Sequence, residues 1–245
     1  MQFKAMTRLP ILMYHNVSDD KSSNGLTIYR DKLEEQFRYL KEEGYTTYHF
    51  SELENKTSIN PKSVIVTFDD VTENQLVYAV PLLEKYNLKA TFFIPFEYIG
   101  NVDLWNSGKE KIMSIEQLKT LDNRVELGLH SFAHKRYATL TENEINADFS
   151  KCFEIIWQNG LKVYNALAYP YGNYPKKEPN KSMFKAVLQQ NNIKAGLRIG
   201  NRINKFPFKN RYEIQRIDIK GEDGMLKFKI KLRFGKIKLF HPLFD

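Results

Sequence analysis

The sequence has little cysteine and no long apolar run, and both absences narrow the kind of protein it encodes. Its single cysteine, Cys152, cannot form a disulfide within one chain. No stretch approaches the roughly 18 consecutive apolar residues that a membrane-spanning helix needs. The segment from Met1 to Pro10 also lacks the apolar core of a signal peptide. We therefore expect a protein that is cytoplasmic or peripheral to the inner face of the membrane.

Positive charge is distributed unevenly along the chain. The net charge is +8, yet six basic residues and no acid fall between Met225 and Phe240. Subtracting those six charges from +8 leaves +2 for the rest of the chain. A nucleic-acid-binding domain would be expected to spread its basic residues over one face, so we expect no nucleic-acid partner. An apolar content of 42% is ordinary for a folded globular protein.

Strand-like and helix-like patterns alternate along most of the sequence. Short apolar runs predict strands at 9–14, 64–70, 89–94, 125–129, 163–169, 194–198 and 213–219. Amphipathic stretches and two capping-box sequences predict helices at 31–43, 75–86, 114–121, 141–157 and 182–190. This alternation indicates a single α/β domain with a largely parallel sheet, and about seven strands favour closure into a barrel. We place that domain at residues 1–224 and a basic, apolar tail at residues 225–245.

Two neighbouring acids end the most apolar of the predicted strands. The run from Val64 to Phe68 has high strand propensity and is followed at once by Asp69 and Asp70. Successive side chains of a strand point to opposite sides, so two functional acids here would have different tasks. Taken alone, the pair is more simply interpreted as an acidic turn, in which aspartate is common.

Histidines follow two further predicted strands. His15 follows the first, and His130 and His134 follow the strand at 125–129. Residues four apart share a face if the segment is a helical turn, which would suit His130 and His134 for one metal ion. Two imidazoles and one carboxylate would leave positions for water and substrate, as in a catalytic divalent site. A histidine at a strand end can instead cap backbone groups, and this alternative stays open for His15.

The order of these motifs resembles that of polysaccharide deacetylases with a NodB-homology domain (carbohydrate esterase family 4). The resemblance covers about residues 9–220. The matching segments are Pro10–His15, Thr67–Asp70, Tyr86–Phe93, His130–His134, Ala168–Gly172 and Tyr212–Ile219. The resemblance implies a distorted (β/α) barrel and removal of the acetyl group from an N-acetylated glycan or a lipid-linked sugar. An O-acetyl esterase and a catalytically inactive carbohydrate-binding domain of the same fold are the alternatives.

The same resemblance implies a role for each acid and for two of the histidines. Asp69 corresponds to the general base. Asp70, His130 and His134 correspond to the ligands of a divalent metal, which is most often Zn²⁺ in the family. A metal ion of this kind lowers the pKa of bound water toward about 7, so that water can serve as the nucleophile.

Two further roles follow from the resemblance. The backbone N–H of Tyr171 corresponds to a donor for the oxyanion of the tetrahedral intermediate. His15 corresponds to the general acid of the branch that resembles poly-N-acetylglucosamine deacetylases, and imidazole suits that task because its pKa lies near 7. Trp105, Tyr171 and Arg216 are the expected substrate-binding residues, although aromatic side chains beside a sheet are more often part of the core.

Two positions depart from the family pattern. Val71 stands where the family usually has glycine after the acid pair. Because valine does not adopt a positive φ comfortably, we expect this loop to run differently or not to need that freedom. Ala168 stands where many members have an arginine that orients the base, and Arg216 or Arg198 are the candidates to replace it.

The basic tail alternates apolar and cationic residues from Phe228 to Phe234. As a strand it would have one apolar and one cationic face, whereas as a helix it would have no clean apolar stripe. Either its apolar side packs on the domain, or residues 225–240 lie on an anionic membrane surface. The remaining histidines, His49 and His241, match no motif and are assigned to structure.

Overall fold

The computed structural model describes residues 6–236, in which strands and helices alternate as expected. The strands are β1 (Thr7–Leu9), β2 (Ile11–Tyr14), β3 (Asn16–Ser18), β4 (Thr27–Tyr29), β5 (Thr46–Thr47), β6 (Ser63–Asp69), β7 (Ala90–Ile94), β8 (Val125–Leu129), β9 (Val163–Ala168), β10 (Ala195–Ile199), β11 (Asn204–Phe206) and β12 (Ile214–Asp218). The helices are α1 (Arg30–Glu42), α2 (Val80–Tyr86), α3 (Ile115–Thr120), α4 (Glu142–Asn159), α5 (Asn180–Gln190) and α6 (Met225–Phe234).

Seven parallel strands form a closed ring. Their order is β2, β12, β10, β9, β8, β7 and β6, and β6 pairs again with β2. The prediction of an α/β barrel of about seven strands is therefore confirmed. Because all seven strands are parallel, their carboxyl ends meet at one end of the barrel, where residues that follow several strands come together.

The capping boxes expected at two helices are present. The Ser114 hydroxyl accepts the N–H of Gln117 at the start of α3, and the Thr141 hydroxyl accepts the N–H of Glu144 at the start of α4. In return, the side chains of Gln117 and Glu144 accept the backbone N–H groups of Ser114 and Thr141. Each pair satisfies two backbone donors that a helix start leaves free.

Small residues keep the barrel interior open for two large side chains. A Cβ added to Gly128 on β8 would lie 2.6 Å from the Phe93 ring, so only glycine leaves room for that ring. Phe93 faces the Arg216 guanidinium with 5.4 Å between the ring centroid and Cζ. Ala166 and Ala168 on β9 are short and fully buried. This space allows an arginine to sit inside the barrel.

The first part of the basic tail is the helix α6, and it packs on α1. Phe228 and Leu232 are buried, and the Phe228 ring meets the edge of Tyr39 with 6.2 Å between centroids. Residues 237–245, including His241, lie outside the described part of the chain. The division into a domain that ends at residue 224 and a separate tail stays a prediction.

None of the helices within residues 6–236 combines the length and the apolar character that crossing a membrane requires.

Candidate active site and metal centre

Most of the residues singled out from the sequence line one cavity at the carboxyl ends of the barrel strands. The cavity has a volume of about 190 Å³. Its wall includes His15, Asp69, Asp70, Trp105, His130, His134 and Tyr171, together with Asp103 and Asp218. Arg216 is the exception, since it is fully buried beneath this wall and does not line the cavity. The expectation that Arg216 binds substrate directly is wrong for this reason.

Asp70, His130 and His134 bring three ligand atoms together. Asp70 Oδ1 lies 3.5 Å from His130 Nε2 and 3.6 Å from His134 Nε2, and the two Nε2 atoms are 3.2 Å apart. Asp70 Oδ1 is buried and has no hydrogen-bond partner among the described residues. One carboxylate oxygen and two imidazole nitrogens at these separations fit a divalent metal ion. They leave coordination positions free for water and substrate.

Burial and one hydrogen bond fix the charge state of the two histidines. His130 Nδ1 donates to the Ala168 carbonyl at 2.8 Å, so the lone pair of Nε2 faces Asp70. Burial lowers the pKa of His130 to about 4 and that of His134 to about 2. Both rings are therefore neutral near pH 7, which is the form that binds a metal.

The surroundings of Asp70 also disfavour its charged form, which for a carboxylate is the form that binds a metal. Burial, followed by the charges of Asp69 and Asp103, raises the pKa of Asp70 well above its usual range. A bound cation is the charge that would keep this carboxylate ionised. The donor set and its charge thus both fit a divalent ion.

The segment between the two histidines is an irregular loop and not the helical turn considered from their spacing. Ser131 and His134 have positive φ values of 64° and 51°. The N–H of Phe132 donates to Asp148 Oδ1 on α4 at 3.0 Å, which holds the loop from outside the barrel. The four-residue spacing brings the two imidazoles together, but through loop geometry and not through a shared helix face.

Two aromatic rings hold His134 in place. The Trp105 ring stacks on the imidazole with 4.3 Å between centroids, and the Tyr171 ring meets it edge-on at 4.8 Å. The Arg136 guanidinium lies 4.1 Å from the centroid of the Tyr171 ring. One face of Trp105 is therefore occupied by a candidate ligand, and its contact with a sugar stays a prediction.

Asp69 is held by a buried arginine. Its Oδ1 and Oδ2 accept hydrogen bonds from the two terminal nitrogens of Arg216 at 2.5 and 2.8 Å. Burial alone would raise the pKa of Asp69, but the charge and hydrogen bonds of the Arg216 guanidinium outweigh it, so the pKa lies well below its usual range. Arg216, and not Arg198, is the arginine that contacts this acid, since Arg198 donates to the carbonyl of Ile199.

His15 lies on the same side of the cavity as Asp69. Its Nε2 is 3.7 Å from Asp69 Oδ2, and its Nδ1 is buried without a hydrogen-bond partner among the described residues. Burial lowers the pKa of His15, and the nearby Asp69 raises it in part. The resting imidazole is therefore neutral near pH 7, within reach of the acid assigned as the base.

The backbone at Val71 contradicts the expectation that this loop avoids or does not need a positive φ. Asp70 and Val71 both have positive φ, of 77° and 42°. A β-branched residue rarely adopts this conformation, and it costs on the order of 1–3 kcal/mol. Val71 is fully buried, and its carbonyl accepts the N–H of Met113 at 2.9 Å. Packing and this hydrogen bond hold Val71 in a conformation that glycine adopts without strain.

Gln75 was not predicted as a site residue, yet it links the end of β6, which carries Asp69, to His15 directly after β2. Gln75 is fully buried, and its side-chain amide donates to the backbone carbonyl of Asp69 at 2.6 Å and to that of His15 at 3.0 Å. From the sequence, Gln75 is expected only to begin a helix. A buried amide five residues after Asp70 was the available signal.

A second missed residue, Asp103, shapes the loop that carries Trp105. Its Oδ1 accepts the backbone N–H groups of Lys109 and Glu110 at 2.8 and 2.9 Å, and its Oδ2 accepts the Asn106 side chain at 2.9 Å. The loop therefore folds around one buried carboxylate. This arrangement positions Trp105 over His134, and no spacing between sequence motifs indicated it.

Four acids and three histidines line a cavity at the carboxyl ends of the strands of a parallel barrel, which is the layout of a barrel enzyme. Residues 56–195 match the family model for polysaccharide deacetylase. Because this match covers more than half of the chain, the protein belongs to the polysaccharide deacetylase family.

Relatives agree with the family assignment. YxkH from Bacillus subtilis, which carries a polysaccharide deacetylase name, is 29% identical over 175 residues, or 68% of this chain and 58% of that protein. A poly-beta-1,6-N-acetyl-D-glucosamine N-deacetylase from Staphylococcus epidermidis is 26% identical over 172 residues, or 64% of this chain and 57% of that protein. The chain thus spans less than two thirds of the length of these relatives.

Solved structures confirm the fold. The Streptococcus pyogenes deacetylase PplD, in complex with acetate, superposes with a TM-score of 0.76 at 20% identity and covers 93% of this chain and 99% of its own. IcaB from Ammonifex degensii superposes with a TM-score of 0.75 at 20% identity, over 93% and 97% of the two chains. At these identities the likeness establishes the shared barrel.

Proposed function

We propose that this protein removes the N-acetyl group from an N-acetylhexosamine-containing glycan or glycolipid by metal-dependent hydrolysis. The observation that supports it most is the different surroundings of Asp69 and Asp70. Arg216 holds Asp69 ionised, while Asp70 faces two neutral imidazole nitrogens. A proton acceptor beside a metal-competent cluster is the minimum that this hydrolysis requires.

Asp70, His130 and His134 would hold the metal, and Zn²⁺ is the ion that we favour. Imidazole and carboxylate ligands suit zinc, which accepts a small and open coordination set. When bound, the ion lowers the pKa of a water molecule and polarises the acetamide carbonyl. The remaining steps belong to the side chains and backbone of this chain.

Asp69 takes the proton of the attacking water. Its low pKa keeps it in the accepting form at neutral pH, and it also makes the protonated form a strong donor. His15 Nε2, 3.7 Å away, is neutral at rest and can take up that proton. His15 then passes the proton to the leaving amine, so the acid and the base of the reaction are joined by one short transfer.

Tyr171 contributes through its backbone. We propose that its N–H donates to the oxyanion that forms at the acetyl carbon. The residue has a φ of 58°, in a 3₁₀ turn directly after β9, and its ring is at the cavity wall. Trp105 is proposed to contact the sugar with the part of its ring that His134 leaves uncovered.

Acetate release is the test of this function. Purified protein should release acetate from N-acetylglucosamine oligomers or from a lipid-linked N-acetylated sugar, lose that activity with a chelator and recover it with Zn²⁺. Release from an O-acetylated sugar alone would indicate an esterase. Binding to a glycan without acetate release from any of these substrates would contradict the proposal and indicate a carbohydrate-binding domain.

We also propose that α6 contacts an anionic membrane surface. Leu226 and Phe234 are 75% and 61% exposed, and Lys229 and Arg233 are exposed on the same helix. Apolar and cationic side chains together suit a peripheral helix. Replacing Leu226 and Phe234 by glutamate should abolish pelleting with anionic liposomes, whereas glutamate at the exposed Trp157 of α4 should not. Equal pelleting of both variants would contradict the contact.

A further inference from the structure

A second cavity lies directly beside the candidate active site. Its volume is about 360 Å³, against about 190 Å³ for the catalytic cavity. Asp218, the last residue of β12, belongs to the wall of both cavities. The opposite wall is formed by α6. The two cavities are therefore neighbours that share one lining residue.

The lining of the second cavity is rich in lysine. Its ionisable residues are Lys220, Lys227, Lys231, Lys236, Asp218 and Glu222. Two of the lysines already have an acidic partner, because Lys227 and Lys231 both form ion pairs with Asp223 beneath the cavity. Lys220 and Lys236 have no ion-pair partner among residues 6–236. Lys220 and Lys236 are therefore the two lysines of this lining without an ion pair in the described structure, and the carboxylates of Asp218 and Glu222 lie in the same lining.

The position of these lysines is built into the fold. Lys231 is only 6% exposed and donates to the backbone carbonyl of Asp218 at 2.6 Å, which ties α6 to the end of β12. The backbone N–H of Lys220 donates to Asp223 at 2.9 Å, and that of Lys236 donates to the Asn201 carbonyl at 2.8 Å. The backbone of both unpaired lysines is therefore anchored at the cavity wall.

We propose that this second cavity is a subsite for a phosphate group carried by the substrate. The inference rests on the proposed function and narrows it to N-acetylated sugars that bear a phosphate ester or phosphodiester. A phosphate carries up to two negative charges, which two unpaired lysines match, and lysine binds phosphate as a point charge. Because the two cavities share Asp218 in their walls, a phosphate beside the lysines leaves the acetamide of the same sugar to enter the catalytic cavity beside Asp69.

Paired substrates test this subsite. The ratio of kcat/KM for N-acetylglucosamine 1-phosphate to that for a neutral N-acetylglucosamine oligomer should fall about tenfold when Lys220 and Lys236 are both replaced by alanine, since about 1.4 kcal/mol corresponds to tenfold. Replacing both lysines by arginine should restore the ratio, because the charge returns. The matched control is Lys185→Ala, at an exposed lysine of α5, which should leave the ratio unchanged.

A binding measurement separates this proposal from the proposed function. Zinc-loaded Asp69→Asn protein should bind N-acetylglucosamine 1-phosphate about tenfold more tightly than the same protein with Lys220→Ala and Lys236→Ala. This readout needs no turnover, so it stands even if no acetate is released. A polyprenyl-pyrophosphate-linked sugar and inorganic phosphate, used as competitors, distinguish a lipid-linked source from a free anion. Equal affinity of the two proteins, or an equal loss of kcat/KM for neutral and phosphorylated substrates, would overturn the subsite.

Discussion

The two halves of the candidate site shift the pKa values of two neighbouring carboxylates in opposite directions. On one side, Asp69 has both oxygens on the Arg216 guanidinium and His15 within 3.7 Å. On the other, Asp70 faces His130 and His134 with an oxygen that has no hydrogen-bond partner in the described structure. The pKa is lowered for Asp69 and raised for Asp70.

This difference shows that the surroundings, and not the residue type, separate the roles of adjacent acids. Both side chains are buried, so desolvation acts on each in the same direction. What differs is the partner, which is a fixed cation for Asp69 and a pair of neutral imidazoles for Asp70. Among the described residues, the half of the site that contains Asp70 has no positive charge beside the carboxylate until a cation binds, which is why we assign the metal to Asp70.

The largest expected effect comes from His15, which should matter for proton transfer and not for the metal. His15→Asn should lower kcat about 10²–10⁴-fold, the typical contribution of a general acid, while zinc content stays at the wild-type level. His134→Asn should lose zinc and activity together. Steady-state kinetics and metal analysis on the same preparations check this. Zinc loss in His15→Asn would place His15 in the metal half and break the comparison.

Arg216 should act through Asp69. Arg216→Met leaves a buried carboxylate without its partner and should destabilise the protein by about 3–5 kcal/mol in urea unfolding. Arg216→Lys keeps the charge but loses the two-point contact, so it should retain more stability while kcat falls about tenfold or more. An Arg216→Lys variant with full activity would show that the geometry of Asp69 is unimportant.

In the metal-free protein, acid should reduce the folding stability first through the half of the site that contains His130 and His134. The pKa of His130 is about 4 in the folded state and about 6.5 in an unfolded chain. The unfolded state therefore binds the extra proton between these values, and stability is lost as pH falls from 6.5 toward 4. His134 acts in the same direction, and Asp70, with its raised pKa, offsets part of the loss.

We expect the chelated protein to be about 2 kcal/mol less stable at pH 5 than at pH 7. Urea unfolding at the two pH values measures this, and His130→Gln should show a smaller difference. His49→Gln is the matched control, because His49 lies away from the cavity and contacts the Arg124 carbonyl. A His130→Gln protein with the wild-type pH dependence would contradict the assignment.

The smallest effect concerns the strained residue that follows the two acids. Val71→Gly removes a buried side chain but relieves a positive φ, so its cost should be about 1 kcal/mol less than that of Val66→Gly in the centre of β6. Both residues are fully buried valines. Urea unfolding of the two variants decides the point, and equal costs would mean that the Val71 backbone stores no strain.

Most of the fold was predictable from the sequence because its signals are local. The strand at 125–129 has the same bounds in the structure, and both capping boxes form at Ser114 and Thr141. Other boundaries differ from the prediction because pairing with strands distant in the sequence sets them. The predicted strand at 9–14 is divided into β1 and β2, because Leu9 pairs with β11 whereas Ile11 pairs with β6.

The site was predictable as a set of residues but not as a geometry. The motif order picked out Asp69, Asp70, His130 and His134, and all four line one cavity. The positive φ of Val71 was not predictable, because it depends on packing and on a hydrogen bond from a residue 42 positions later. Long-range contacts of this kind leave no local pattern in a single sequence.

One measurement on two variants tests the separation of the acids most directly. Asp69→Asn and Asp70→Asn are prepared with zinc, and zinc content and acetate release are measured on the same samples. We predict that Asp69→Asn retains about one zinc per chain and loses turnover, whereas Asp70→Asn loses the zinc and turnover together. Undiminished turnover in Asp69→Asn, or full zinc content in Asp70→Asn, would contradict the account.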